Sequence, residues 1–61
     1  MPDYRILLVE DDLDAAEMII KNLHLKKFGN TFHAEDAVGA MKIINHSEID
    51  IILMDIQLPG G

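Results

Sequence analysis

Acidic residues follow the two most apolar segments of the chain. The run of residues 10–12 comes directly after Ile6–Val9, and Asp55 comes directly after Ile51–Met54. Carboxylates held close together repel one another, so such a cluster either raises the pKa of at least one of its carboxyl groups or binds a cation. An all-oxygen ligand set with neither Cys nor a neighbouring His suits a hard ion, Mg²⁺ or Mn²⁺, and not zinc. The alternative is that these acids only cap helices and solvate loops.

Short apolar runs must position these acids. Ile6–Val9 and Ile51–Met54 are too short for helices and are typical of strands buried on both faces. Thr31–Ala34 predicts a weaker strand, because only two of its residues favour extended structure. Between these runs the apolar residues recur at helical spacing, which predicts the order β-α-β-α-β.

The first helix is predicted over residues 14–27. Asp14 and Glu17 have the spacing of a capping box, and Gly29 is the expected stop. The side that faces the sheet should comprise the residues spaced three and four apart, which are Ala16, Ile19, Ile20 and Leu23.

The second helix is predicted to begin after Asp36 and to end at residues 45–47. Its inward side is expected to comprise Ala37, Ala40, Met41 and Ile44. Alternating strands and helices predict an α/β fold with a parallel sheet and right-handed crossovers. Parallel strands end at the same edge of a sheet, so the acids after the first and third strands converge if those strands are neighbours.

Composition narrows the function classes further. The 61 residues carry 11 acidic and five basic side chains, a net charge of −6 that argues against nucleic-acid or membrane binding and for cations or basic partners. A chain of this length allows one small domain, and without Cys it has no disulfide to stabilise it. No apolar run is long enough to cross a bilayer and the N-terminus does not resemble a secretory signal, so a cytoplasmic location is expected.

Two motifs together resemble the receiver domain of two-component response regulators. They are Ile6–Asp12, with the sequence ILLVEDD, and Met54–Gly60, with the sequence MDIQLPG. The resemblance covers the whole chain, residues 1–61, but only the N-terminal half of the family's flavodoxin-like fold, whose strand order is 2-1-3-4-5. It implies a three-stranded parallel sheet of order 2-1-3 with one helix on each face.

The resemblance also implies a role for each acid. Asp55 matches the phosphoacceptor, which takes a phosphoryl group from a phosphohistidine of a sensor histidine kinase. Asp11 matches a direct ligand of Mg²⁺ or Mn²⁺, and Glu10 matches a residue that acts on the ion through water. Asp55 and the backbone carbonyl of Gln57 complete the ligand set, while Asp12 receives no ligand role.

The family places a Ser or Thr after its fourth strand and a Lys after its fifth, and no residue of this sequence matches either. The resemblance therefore implies that switching is impaired. It also leaves the third strand, residues 50–54, as an apolar sheet edge without Lys or Pro to protect it, so we expect a homodimer or larger homo-oligomer through that edge.

Two alternatives remain open at this point. The first is a natural or engineered half-domain that self-associates in a structural role and does not signal. The second is a binding module that occupies a kinase docking surface, which requires Ala16 and Ile19 on the first helix to be exposed.

Overall fold

The computed structural model describes residues 4–54, which form three strands and two helices in the predicted order. Neither of the described helices is long and apolar enough to cross a membrane. The elements are β1 (Arg5–Val9), α1 (Leu13–Leu25), β2 (Asn30–Ala34), α2 (Ala37–His46) and β3 (Ile51–Met54).

The strands of the described region form one parallel sheet of order β2-β1-β3, as predicted. In the register of this sheet, Leu7 of β1 lies between Phe32 of β2 and Ile52 of β3. The connection through α1 steps from β1 to β2 in one direction, and the connection through α2 steps back past β1 to β3. Right-handed crossovers of opposite direction place α1 and α2 on opposite faces of the sheet.

The central strand β1 carries the core. Its residues Ile6, Leu7 and Leu8 are at most 2% exposed, which confirms that this run is buried on both faces. Leu7 packs with Ala34 and Ala40 on the face that α2 covers. Because side chains alternate along a strand, Ile6 and Leu8 point to the opposite face, which belongs to α1.

The third strand does not share this burial. The side chains of Ile51–Met54 are 36% to 58% exposed, so the prediction that this run is buried on both faces is wrong for the described structure. β3 pairs with β1 on one side only and is an edge strand of the described sheet. Apolar composition predicted the strand but not its burial, because burial depends on what packs against the sheet.

Helix α1 begins one residue earlier than predicted. Its N-cap is Asp12, whose Oδ1 accepts hydrogen bonds from the backbone N–H groups of Asp14 at 3.0 Å and Ala15 at 3.3 Å. The predicted cap, Asp14, instead lies in the first turn, where a negative charge suits the helix dipole. The predicted inward side is correct, because Ala16 is buried and Ile19, Ile20 and Leu23 are half-buried.

The end of α1 also differs from the prediction. The helix ends at Leu25, and Lys27 adopts the left-handed conformation with φ of 71°. The N–H of Lys27 donates to the carbonyl of His24 at 3.0 Å, and that of Phe28 donates to the carbonyl of Leu23 at 2.8 Å. These two bonds form a Schellman motif, so Lys27 makes the turn that was assigned to Gly29.

Helix α2 has the predicted cap, but its inward side agrees with the prediction only at Ala40. The carboxylate of Asp36 accepts a hydrogen bond from the N–H of Gly39 at 2.8 Å. Ala40 is buried and Ile43 packs on the core, whereas the predicted inward residues Ala37, Met41 and Ile44 are exposed. The short link from the buried end of β2 to the cap at Asp36 sets the rotation of α2 and turns residues 40 and 43 toward the sheet.

Candidate functional site

The first acid lies at the carboxyl end of the central strand. Glu10 follows β1 directly, is 2% exposed, and its N–H donates to the carbonyl of Ala34 at 3.0 Å. Its own carbonyl accepts a hydrogen bond from Nε2 of His33 at 2.8 Å. A carbonyl oxygen can only accept, so this nitrogen carries the proton. Both backbone groups of Glu10 are therefore tied to the end of β2.

The second acid lies between two fixed points. On one side of Asp11 is the Glu10 backbone, and on the other is Asp12, which caps α1 and whose carbonyl accepts from the N–H of Ala16 at 2.9 Å. Asp11 itself is exposed. The strand end and the helix start thus hold the backbone of Asp11 from both sides. The residue lies at the carboxyl edge of the sheet, called the rim below, where it is exposed.

Part of the helix-capping alternative is correct. Of the acidic run at residues 10–12, Asp12 is a helix cap, and its side chain is engaged with the first turn of α1. The N-terminus of α1 carries partial positive charge and follows these acids directly, so it offsets part of their mutual repulsion.

The other side of the predicted site is described only up to Met54. This residue is the last described residue of β3 and pairs with Val9, the last residue of β1. Asp55 and Gln57, predicted as phosphoacceptor and ligands, lie outside the described residues. Within residues 4–54 no group of three or more His, Asp or Glu side chains is arranged to hold a metal ion.

A contact at the opposite end of β3 fixes this register. The carboxylate of Asp50 accepts a hydrogen bond from the N–H of Arg5 at 2.8 Å, and the N–H of Asp50 donates to the carbonyl of Arg5 at 2.9 Å. The paired bonds align the amino ends of β1 and β3. Consequently the two strands stay in register as far as the pair of Val9 and Met54.

The described half of the predicted ligand set, Glu10 and Asp11, has the chemistry that a hard divalent ion requires. Glu10 and Asp11 supply carboxylate oxygens from consecutive residues at one rim of the sheet. Oxygen ligands of this kind are those that Mg²⁺ and Mn²⁺ prefer. Glu10 is buried and Asp11 is exposed, so the two side chains differ in their access to solvent.

Two roles were not predicted from the sequence, that of Asp12 as the cap of α1 and that of His33 as a hydrogen-bond partner of Glu10. Asp12 was recognisable as a cap, because an acid directly before a helix-forming run is a common N-terminal signal. His33 was not recognisable, since its contact with Glu10 depends on the register between β1 and β2.

The fold and the rim together define a class of protein. A parallel sheet of order 2-1-3, with acids at the carboxyl end of its central strand, has the architecture of the first half of a flavodoxin-like α/β domain. In folds of this class, ligands bind at the topological switch point. The chain belongs to the response regulator receiver domain family, whose model matches residues 6–61. The resemblance noted from the two motifs is thereby confirmed.

Individual relatives agree with this assignment. The chain is 39% identical over 57 residues to the regulatory protein VanR of Enterococcus faecium, covering 92% of this chain and 24% of VanR. It is 35% identical over 57 residues to the uncharacterized transcriptional regulatory protein YrkP of Bacillus subtilis, covering 93% and 24% of the two chains. A third relative, the uncharacterized transcriptional regulatory protein YbdJ of Bacillus subtilis, is 32% identical over 60 residues, covering 98% and 26%.

The chain therefore spans about a quarter of the length of these curated relatives. No solved structure matches it significantly.

Proposed function

We propose that Asp55 accepts a phosphoryl group and that a divalent cation, Mg²⁺ or Mn²⁺, binds beside it. The cation ligands in this proposal are Glu10 (through water), Asp11, Asp55 and the backbone carbonyl of Gln57. The observation that carries the proposal is the pairing of β1 and β3: Glu10 and Asp11 follow Val9 at the end of β1, and Met54 of β3 pairs with Val9. Asp55 is the next residue along the chain, and consecutive Cα atoms are only about 3.8 Å apart.

The chemistry is a phosphoryl transfer between two nucleophiles. A carboxylate oxygen of Asp55 attacks phosphorus, the phosphorus–nitrogen bond of a phosphohistidine breaks, and the departing imidazole takes a proton from solvent. The product is an acyl phosphate on Asp55. When bound, the cation supplies positive charge that screens the carboxylates and the phosphoryl oxygens. The part of the protein is to hold Asp11 on a backbone fixed by β1 and α1, so little reorganisation is needed when the ion binds.

We propose a sensor histidine kinase as the phosphodonor in the cell, and with it a cytoplasmic location for this chain. Membership of the receiver family supports this partner. The relatives are named as regulatory proteins, two of them as transcriptional regulatory proteins. The proposal for this chain covers the receiver function and does not include the regulation of transcription. The docking-module alternative is not favoured, because it needs an exposed Ala16 and this residue is 2% exposed.

Labelling with a small phosphodonor tests the proposal. The 61-residue chain is incubated with acetyl phosphate with and without Mg²⁺, and one added phosphoryl group is sought by intact-protein mass spectrometry. We expect labelling that requires Mg²⁺ and is lost in Asp55→Asn. The matched control is Asp50→Asn, at the other end of β3, which keeps an oxygen acceptor for the Arg5 N–H and should be labelled normally.

Labelling of Asp55→Asn, or labelling that is indifferent to Mg²⁺, would contradict the proposal. A folded wild-type chain that is never labelled would leave the non-signalling half-domain as the better description. In that case the acids of the rim serve the structure alone.

A second property is favoured by the exposed strand β3. We propose that the 61-residue polypeptide, studied alone, forms a homodimer or larger homo-oligomer through residues 50–54. An edge strand with exposed apolar side chains pairs readily with another chain. Pairing about a two-fold axis would run the two copies of β3 antiparallel, because an isologous contact reverses the partner.

Solution mass tests this association. Light scattering after size exclusion should give a multiple of the monomer mass, and Ile52→Lys on β3 should shift it to the monomer. The control is Val38→Lys, which adds the same charge at an exposed position on α2. A wild-type chain that stays a compact monomer at high concentration would refute the association.

A further inference from the structure

We propose that His33 is a positioning residue for the acidic pair, and that its imidazole sets the affinity of the rim for a divalent cation. The inference rests on the proposed function and deepens it, since it names what holds Glu10 and Asp11 in place. The contact that carries it is the hydrogen bond from His33 Nε2 to the Glu10 carbonyl, 2.8 Å long and partly buried.

The position of His33 explains how it reaches this carbonyl. It pairs with Leu8 in the register of β1 and β2, so it lies two residues before the level of Glu10. Its side chain is half-buried and spans this distance along the sheet to the end of β1. We therefore expect a side chain shorter by one bond to fall short of the same oxygen.

The bond acts on Asp11 through the peptide plane. The carbonyl of Glu10 and the nitrogen and Cα of Asp11 belong to one planar group. A hydrogen bond that holds the Glu10 oxygen therefore also orients the nitrogen and Cα of Asp11. The Glu10 N–H is already held by Ala34, and Asp12 is already held by the first turn of α1. The hydrogen bond from His33 therefore holds the peptide group between Glu10 and Asp11, next to the groups that the β1–β2 ladder and the helix cap hold.

A purely structural role makes a different prediction, and the chain offers a matched comparison. Thr31 lies on the same strand and the same face, two residues before His33, and its Oγ1 donates to the carbonyl of Phe28 at 3.0 Å. That bond is also partly buried and also joins a side chain to the backbone. It lies at the amino end of β2, away from the acidic rim, so its loss should affect stability without affecting the cation.

The test measures Mg²⁺ affinity and stability separately on the full 61-residue chain. Calorimetric titration gives the dissociation constant for Mg²⁺, and urea unfolding gives the free energy of unfolding. His33→Met removes the donor at similar length and should weaken Mg²⁺ binding about tenfold, as loss of an outer partner of a metal ligand does. His33→Gln places an amide N–H at the same number of bonds from Cα and should restore most of the affinity.

Two further variants separate positioning from folding. His33→Asn introduces an amide whose side chain is one bond shorter than that of Gln, so it should weaken Mg²⁺ binding as much as His33→Met does. This variant provides the test if His33→Met fails to fold. Thr31→Val should lower the free energy of unfolding and leave the Mg²⁺ dissociation constant unchanged. A long-range proton–nitrogen NMR spectrum of the wild-type chain should show His33 protonated at Nε2.

The outcomes distinguish this inference from the proposed function. A wild-type chain that does not bind Mg²⁺ overturns both. Normal Mg²⁺ affinity in His33→Asn, equal weakening in Thr31→Val, or a neutral His33 ring protonated only at Nδ1 overturns the positioning role alone.

Discussion

Replacement of Asp12 by Ala tests which residue starts α1. The change removes the Oδ1 that accepts hydrogen bonds from Asp14 and Ala15 at 3.0 Å and 3.3 Å. Loss of an N-cap of this kind costs about 1 kcal/mol of stability. Such a loss lowers the ratio of folded to unfolded chain by about fivefold, which is large for a domain of this size.

Asp12→Asn separates the cap from the charge. Asparagine keeps the accepting oxygen, so the hydrogen bonds to the first turn remain. The charge lost beside the helix dipole costs about 0.3–1 kcal/mol, and the relief of repulsion with the neighbouring acids acts in the opposite direction. We therefore expect Asp12→Asn to retain most of the wild-type stability.

Urea unfolding followed by far-ultraviolet circular dichroism measures these differences. The comparison variant is Asp14→Ala, which alters the residue that the sequence pattern assigned as the cap. Asp14 lies in the first turn, so its replacement should cost less than that of Asp12. A larger loss in Asp14→Ala than in Asp12→Ala would refute this reasoning.

Two other pairs of substitutions test the core and the end of α1. Leu7→Ala leaves a cavity at a fully buried position and should lower the free energy of unfolding by about 2–5 kcal/mol. The control Leu25→Ala, at a position 77% exposed, should lower it by less than about 0.5 kcal/mol. Equal losses of the two variants in urea unfolding would contradict the described core. Lys27→Gly should raise the melting temperature by relieving a left-handed conformation that costs a residue with a side chain about 1–2 kcal/mol. Lys26→Gly, at φ of −92°, should lower it, and a gain in both variants would argue against the turn at Lys27.

The order of elements was predictable because it depends on local patterns. The short apolar run at β1 can be buried on both faces only as a strand. The helical spacing of apolar residues in α1 can be buried on one side only as a helix. Their ends were less predictable, since Asp12 and Lys27 act through hydrogen bonds to backbone groups that several neighbouring residues could also satisfy. The inward side of α2 was mispredicted because Met41 is apolar, although packing selects Ile43.

The candidate site was predictable only in part. The position of Glu10 and Asp11 follows from acids placed directly after a strand, and the structure describes both residues. Asp55 and Gln57 remain predictions, supported by the pairing of Met54 with Val9. The contact between His33 and Glu10 could not be derived from sequence, because it joins two strands whose relative register no local pattern specifies.

The central claim is that Glu10, Asp11 and Asp55 surround one divalent cation. Paramagnetic broadening by substoichiometric Mn²⁺ in amide NMR spectra tests it directly. We predict that the amide signals of these three residues broaden first, while those of Arg5 and Asn30, at the amino ends of β1 and β2, stay sharp. Broadening centred on another acidic pair, such as Glu35 and Asp36, with Asp55 unaffected, would contradict the claim.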